Sequence, residues 1–283
     1  MTTMVASPRA DLLRVRKWPA AWVTGGAWLV LLVLFGYVFN YVAYRSGNGS
    51  FATDGMADAA LLESVLPANL PETITSGTPM FGGALMMVLG AMAASSGYGW
   101  GSWKTILTQG PSRSAVTLGS LLSLAVVVAV TVVASVVVGL GISTGIALVE
   151  GVDVALPTVT DLGRGAGTAF LVLLMWALFG YLLGTLARGP ALAVGLGLVW
   201  SLVVENLLRG VGGLLDWVES LTTVLPGTAA GSLVGSLAGA GAPGGAPGVL
   251  DTLSGTQALV TLLAYVVLLP VVTVLVVNRR DLA

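Results

Sequence analysis

Few side chains in this sequence could carry out chemistry. The chain contains no Cys and no His, which excludes disulfides, thiolate chemistry and zinc sites built on these residues and removes the most common general base. A serine hydrolase within a membrane would need a His, or a Lys near a Ser inside an apolar span, and neither arrangement is present. We therefore predict no catalytic residue and no metal site, and expect a protein that is not an enzyme by itself.

Two adjacent polar residues, Glu205 and Asn206, are the first candidates for a binding role. Glu205 is the only acid near the interior of a predicted span, and ionisable residues inside a membrane are functional candidates by default. The alternative is that Glu205 lies in water at the outer end of its span, or pairs with Arg209 one helical turn further on. Asn40 and Arg45, near the outer end of the first span, are candidates of the same kind, with the same alternative.

Half of the eight methionines lie in one apolar segment. Methionine surfaces are adaptable and suit varied apolar ligands, but methionine also fills gaps in packed cores. The segment therefore predicts either a ligand path or a packing surface. These residues are Met80, Met86, Met87 and Met92.

The composition identifies the elements that must position these residues. The 283-residue chain is 56% hydrophobic and 9% charged, against about 25% charged residues in soluble domains, and its mean hydropathy is +0.95. A membrane-spanning helix needs about 20 apolar residues, and six segments meet or approach this length. The sequence thus predicts an all-α polytopic membrane protein whose spans are 21–41, 79–98, 115–141, 167–187, 190–206 and 256–277.

The distribution of Lys and Arg predicts the orientation of these spans. With the N-terminus in the cytoplasm, nine of the twelve basic residues lie inside, as the positive-inside rule requires. Only Arg45, Arg164 and Arg209 then lie outside. An odd number of spans would break this pattern in the later loops, so we predict six spans with both termini cytoplasmic.

The segments between the spans differ in kind. The polar segment 43–78 has the pattern of a short helix near 56–65, and 143–164 is acidic. The fifth span is short, and the sequence leaves open whether it continues, bends or re-enters through 207–215. Segment 207–255 holds two apolar patches, 211–218 and 228–237, which are too short to span and indicate interfacial or re-entrant helices. A Gly/Ala/Pro-rich linker at 238–248 follows.

Two sequence patterns suggest nucleotide binding but do not fit it. The sequence LSGTQ at 253–257 is similar to the LSGGQ signature of ABC ATPases, yet no G-x-x-x-x-G-K-[ST] motif occurs in the chain and this stretch is predicted to be external. The GAGAPG sequence at 239–244 follows no strand and opens no helix. We therefore expect no bound nucleotide or other cofactor on this chain.

The segment 97–113, GYGWGSWKTILTQGPSR, is longer than a turn between two spans requires. Residues 103–108 have the length of about two helical turns, which Gly110-Pro111 would end. Apolar side chains at i, i+3 and i+4 share one face of this helix, and they belong to Trp103, Ile106 and Leu107. The segment is either an interfacial helix with Trp at the lipid head groups or a docking surface for a soluble partner.

This loop resembles that of a known family. The sequence GSWKTILTQGPSR at 101–113 looks like the loop between the second and third spans of ABC-2 type permeases, where a pattern such as G-T-x-[KR]-x-x-L-x-x-P-x-[ST]-R occurs. The turn at 184–193 is similar to the family's tight cytoplasmic turn, VLPG at 224–227 to its L-P element, and 277–282 to its terminal R-x-D. The resemblance covers the whole chain and depends on these motifs together with the six spans.

The resemblance implies a type V exporter-like permease fold. It implies an elbow helix at 8–19, a cytoplasmic coupling helix at 99–113, and short re-entrant helices between spans five and six. It further implies the membrane-spanning subunit of a bacterial ABC exporter in the cell membrane, paired with a second copy or a homologous permease. A separate ATP-binding subunit would hold ATP and Mg.

The resemblance also implies roles for individual residues. The ATPase would dock on Trp100, Trp103, Lys104, Ile106, Leu107, Gly110 and Arg113. Spans one, two and five line the substrate path in the family, and here they carry Asn40, Met80, Met86, Met87, Trp200, Glu205 and Asn206. A weakly charged path with several methionines suits amphipathic or lipid-like compounds.

One departure from the family and two rival functions remain. The family often carries a Glu just before the G-T element, where this chain has Ser95, Ser96 and Gly97, so the contact with the ATPase would differ in detail.

A stand-alone secondary transporter or channel would show charge pairs inside the membrane or inverted repeats. A membrane subunit without transport activity, such as an assembly or sensor protein, would show no coupling to an ATPase.

Overall fold

A computed structural model describes residues 17–47, 57–99, 112–212, 214–238 and 246–279. Every secondary-structure element in these residues is helical. Six of the helices are long and apolar enough to cross a membrane, which confirms the predicted all-helical chain with six candidate spans. Most of the predicted elbow helix at 8–19, most of the segment 99–113 and most of the linker 238–248 lie outside the described residues.

Ten helices of the described residues are numbered in chain order. The six long ones are α1 (Pro19–Ser46), α4 (Thr78–Gly82, continuing as Gly83–Gly99), α5 (Arg113–Glu150), α6 (Val159–Ala187), α7 (Pro190–Gly212) and α10 (Gly255–Arg279). The short ones are α2 (Asp58–Ser64), α3 (Leu70–Ser76), α8 (Asp216–Thr222) and α9 (Pro226–Ala238). A 3₁₀ turn, Pro67–Asn69, lies between α2 and α3.

The long helices α5 and α6 extend beyond the spans predicted from sequence. Helix α5 continues past 141 to Glu150, and α6 begins at Val159, ahead of 167. The acidic segment 143–164 is therefore mostly helical, because the helix ends only where Gly151 adopts a left-handed conformation with φ 66°. Thr158 then starts α6 by accepting a hydrogen bond from the Asp161 backbone N–H.

The fifth predicted span corresponds to helix α7, which does not end at 206. It continues past 206 to Gly212 and contains a π-helical turn, Val199–Val204. A π turn inserts an extra residue into a helix and changes the direction of the side chains that follow. The first of these side chains belongs to Glu205.

The centre of the fold is a close contact between α4 and α6. A Cβ atom at Gly90 would overlap the carbonyl oxygen of Ala177, and one at Gly180 would overlap that of Met87. Small residues let helix backbones approach in this way where apolar side chains alone provide no hydrophobic driving force. The two helices consequently touch along their backbones and form the rigid core of the molecule.

Helix α1 is attached to α5 by polar contacts at two levels. Inside the fold, the Trp28 Nε1–H donates to Ser135 Oγ at 2.9 Å. At the ends of both helices, Glu150 accepts from the Tyr41 hydroxyl at 2.6 Å and forms an ion pair with Arg45 at 3.2 Å. These contacts place the C-terminal ends of α1 and α5 at the same end of the molecule.

The segment 57–76 packs across α5 and α6. Leu70 and Ile74 of α3 are buried, and Gly139 and Gly165 leave room for α3 on the two long helices. The predicted short helix near 56–65 corresponds to α2, which is confirmed.

The segment between α7 and α10 forms α8 and α9. The apolar patch predicted at 228–237 is α9, whose buried face packs on α10 through Ala229, Ala230, Leu233 and Val234. The patch at 211–218 is shared between the end of α7 and the start of α8. The patch at 228–237 is thus a short helix, as the sequence indicates, whereas the patch at 211–218 is not a helix of its own. The position of both patches relative to the membrane stays a prediction.

Replacing Gly180 with Ala tests the backbone contact between α4 and α6. The added Cβ would overlap the Met87 carbonyl oxygen, and overpacking of this kind costs about 1–3 kcal/mol. We expect a lower thermal midpoint for the purified protein in detergent. Gly141→Ala is the matched control, because nothing lies within 4 Å of a Cβ at that position. Equal midpoints for both variants would contradict the close contact.

Candidate functional site

A small cavity lies where the start of α4 meets α6, the middle of α7 and the start of α9. Its volume is about 70 Å³, enough for several water molecules. Its wall includes Met80, Trp176, Glu205, Asn206 and Arg209. Three residues of the predicted substrate path, Met80, Glu205 and Asn206, therefore come together here.

The other residues of the predicted path lie elsewhere. Met86 and Met87 have no exposed surface and pack in the core between α4 and α6, which is the packing role that the sequence left open as the alternative. Asn40 is half-buried on α1, where its Nδ2 donates to the Gly36 carbonyl at 3.4 Å. Trp200 does not line the cavity but donates a hydrogen bond to Glu205, which does.

Glu205 is fully buried. Its Oε1 accepts a hydrogen bond from Trp200 Nε1 at 2.9 Å, whereas its Oε2 has no hydrogen-bond partner among the residues that the structure describes. Glu205 therefore does not lie in water, which was one of the two alternatives. Glu205 and Arg209 form no ion pair, since their charged atoms are more than 4.0 Å apart. The Arg209 guanidinium donates to Asn206 Oδ1 at 2.9 Å.

The Glu205 carboxylate lies against the N-terminus of α9. The backbone N–H of Gly227 lies beside the carboxylate, although it forms no hydrogen bond of standard geometry with Oε2. The first turn of a helix has N–H groups without helical partners and a partial positive charge, both of which stabilise an anion. This interaction offsets part of the cost of burying a carboxylate.

Gly227 is required at this position for steric reasons. A Cβ atom there would overlap Oε2 of Glu205. The sequence Leu225-Pro226-Gly227 thus ends one turn, begins α9 with a proline in its first turn, and leaves space for a carboxylate from another helix.

Two further buried polar atoms near the cavity lack partners within the described part of the chain. The Trp176 Nε1–H is a donor in the cavity wall, and the Thr228 hydroxyl follows Gly227 on α9. Buried polar groups are normally hydrogen-bonded, and exceptions call for an explanation. Protein atoms enclose Glu205 Oε2 and Trp176 Nε1, which lie against Gly227 and Gly83, so neither atom is exposed to the cavity.

Sequence reasoning did not find Trp176, Gly227 or Thr228. Each is remote from Glu205 in the chain or lies on another helix, so no local spacing connects them. The available signal was Leu225-Pro226-Gly227, whose glycine in the first turn of a helix suggests a close approach by another group.

Most of the predicted docking surface lies outside the described residues. This applies to Trp100, Trp103, Lys104, Ile106, Leu107 and Gly110. Arg113 is the first residue of α5 and is half-buried. The adjoining Ser112 caps this helix by accepting from the Ala115 backbone N–H at 3.2 Å, so α5 begins immediately after the predicted loop.

No protein-family model matches this chain, and no curated protein is significantly similar to it. The class is therefore defined by the fold and the cavity. The chain is an all-helical protein with six helices long and apolar enough to cross a membrane, as in a multi-pass membrane protein. A buried carboxylate lies in one of these six helices.

The contact between Glu205 and Gly227 predicts coupling between two substitutions. Gly227→Ala places a Cβ where Oε2 lies and should lower the thermal midpoint, with an energetic cost of about 1–3 kcal/mol. In a Glu205→Ala background the space is free, so the same change should cost much less. A double-mutant cycle on thermal unfolding in detergent measures this difference.

Gly210→Ala is the control for this cycle, since a Cβ there has nothing within 4 Å. It should have the same small effect with and without the Glu205 carboxylate. Additive effects of Gly227→Ala and Glu205→Ala would show that the carboxylate does not lie against α9.

Proposed function

We propose that this chain is the transmembrane permease subunit of an ATP-driven ABC transporter, most simply an exporter of the bacterial cell membrane. It would form the substrate path as a dimer with a second copy or a homologous permease. A separate ATP-binding subunit, carrying ATP and Mg, would supply the energy. The six apolar helices, the family-like motifs and the lack of a nucleotide-binding motif in this chain support the proposal.

The arrangement of helix ends supports the proposed orientation. Asn278 Nδ2 donates to Ser114 Oγ at 2.9 Å, so the start of α5 and the end of α10 lie at one end of the molecule. The ion pair of Arg45 with Glu150 lies at the other ends of α1 and α5. The start of α5 and the end of α10 then share one face, and the basic residues predict that this face is cytoplasmic.

The observation that carries the proposal is the path of α4. One end of this helix, Gly99, leads directly into the proposed docking segment, and the other end contributes Met80 to the cavity. Because α4 and α6 touch along their backbones, a push on 99–113 would move them as one rigid unit. Closure of an ATPase dimer at one face would in this way change the cavity near the other.

The buried carboxylate of Glu205 favours a second candidate function. An ionisable residue buried in a candidate span is typical of transporters driven by ion gradients, so a stand-alone secondary transporter or channel is the alternative. It differs from the first proposal in needing no ATPase. Transport that continues in liposomes containing only this chain would support it.

Substitutions in segment 99–113 test the docking surface. We expect Trp103→Ala combined with Ile106→Asp to abolish co-purification with the ATP-binding subunit that the proposal requires, and to abolish stimulation of its ATP hydrolysis. The reason is that the change removes two apolar contacts and adds a charge to the same helical face. Pull-down from detergent extracts and phosphate release measure the two effects.

The matched control for the docking test makes the same kinds of substitution, Trp to Ala and an apolar residue to Asp, on helix α8. Trp217→Ala with Leu221→Asp alters two exposed apolar side chains of α8 and should leave complex formation intact. If the loop variant still binds and stimulates the ATPase, the docking proposal is wrong.

The lack of native cysteines makes the proposed orientation directly measurable. Single cysteines are introduced as Ser102→Cys in the proposed cytoplasmic segment and as Ala155→Cys in the exposed connection between α5 and α6. A membrane-impermeant maleimide should label Ala155→Cys in intact cells, and Ser102→Cys only after permeabilisation. The reverse labelling, or labelling of both variants in intact cells, would contradict the orientation.

A further inference from the structure

A turn at 246–249, ahead of α10, brings the chain to the wall of the cavity. The Val249 backbone N–H donates to the Ala246 carbonyl at 2.9 Å, and Gly248 between them has φ 87°. Proline followed by a glycine with positive φ, as in Pro247-Gly248, fits a type II turn. The turn places Gly248 in the cavity wall, where a Cβ atom would lie 3.1 Å from that of Met80 on α4.

Residues 248–253, which we call the strap, continue from this turn along α9 without regular secondary structure. A Cβ atom at Gly231 of α9 would overlap the Gly248 carbonyl oxygen, and one at Gly235 would overlap the Leu250 carbonyl oxygen. Glycine permits such a close approach of two backbones because it has no side chain. The two glycines, one helical turn apart, therefore form a face of α9 on which the backbone of the strap lies.

Two hydrogen bonds join the backbone of the strap to α9 within the described part of the chain. The Leu250 N–H donates to the Gly231 carbonyl at 3.1 Å, and the Leu253 N–H donates to Ser232 Oγ at 3.2 Å. Both donors belong to a segment without helical or strand hydrogen bonding of its own. The strap is therefore attached to the helix at a few points only.

The burial of side chains differs between the strap and the helix beneath it. In the strap Leu253 is buried, Val249 and Leu250 are half-buried, and Asp251 is exposed. In α9 every residue from 226 to 234 is buried. Local openings of folded proteins occur in segments with few buried apolar contacts and exposed backbone hydrogen bonds. The strap has these properties and α9 does not.

We propose that the strap opens locally, moving away from Gly231 and Gly235 and uncovering the side of the cavity at Pro79, while α9 stays in place. The start of α10 is the pivot, because Ser254 Oγ accepts from the Gln257 N–H at 3.3 Å and caps the helix there. Use of this opening in the export of a substrate rests on the proposed function. The opening itself does not, since every contact involved lies within this chain.

The test measures how fast N-ethylmaleimide labels single cysteines in the purified full chain in detergent, without an ATPase. The chain has no native cysteine. Ser232→Cys and Pro79→Cys place thiols at buried positions under the two ends of the strap. Ala229→Cys places one in the apolar core, and Ser236→Cys places one at an exposed position of α9.

We expect both thiols under the strap to react at rates between those of the two reference positions. Because the strap is closed most of the time, they should react at least about tenfold more slowly than Ser236→Cys, and because it opens locally, at least about tenfold faster than Ala229→Cys. Labelling as slow as at Ala229→Cys would show that the strap stays closed and would overturn the proposal. Labelling as fast as at Ser236→Cys would show that no closed strap exists.

Gly235→Ala, added to each cysteine variant, tests whether the strap controls these rates. The new Cβ would overlap the Leu250 carbonyl oxygen and displace the strap. Labelling at Ser232→Cys and Pro79→Cys should both become at least about tenfold faster, and labelling at Ala229→Cys should not change. Gly195→Ala is the matched control, since nothing lies within 4 Å of a Cβ there, and it should leave all rates unchanged.

Three results with Gly235→Ala would contradict the proposal. They are unchanged rates under the strap, a faster rate at only one of its two ends, and an equal increase at Ala229→Cys, which would mean that α9 itself loosens. If Gly235→Ala is not monodisperse, Leu253→Ala replaces it, because it removes the buried anchor of the strap. A failed docking test would reject the ABC function and leave this proposal standing, because no ATPase takes part in the labelling.

Discussion

The backbone contact between α4 and α6 is the constraint on which the rest of the fold depends. Gly90 and Gly180 allow it, since a side chain at either position would overlap a carbonyl oxygen of the other helix. The contact fixes Met80 on one helix opposite Trp176 on the other, and α7 closes the space between them. The cavity is therefore a consequence of how closely two helices approach, and a wider spacing would open or fill it.

The buried carboxylate of Glu205 connects this core to the segment between α7 and α10. It lies on α7, accepts from Trp200 of the same helix, and meets the N-terminus of α9 at Gly227. A helix N-terminus stabilises an anion only over its first turn, so the interaction depends on the exact position of α9. A shift of α9 would therefore change the electrostatic environment of Glu205.

The six long helices were predictable because each depends on a continuous apolar run of the chain itself. The ends of these helices were harder to predict. Helix α5 continues through Gly141 and Ser143 to Glu150, and it ends only at Gly151, which has a positive φ. The cavity depends on contacts between distant segments. Local spacing suggested that Glu205 would pair with Arg209, but the π turn before Glu205 and the N-terminus of α9 redirect the carboxylate. Met86 and Met87 likewise looked suited to a ligand, and only the approach of α6 shows that they are enclosed.

A single helix, α4, joins the two regions to which a function can be assigned. Under the proposed function, an ATPase that shifts the end of α4 at Gly99 also shifts Met80 against Glu205 and Arg209. Linkage makes such coupling reciprocal: a ligand that favours one position of α4 must alter the equilibrium affinity for the ATPase state that favours the same position.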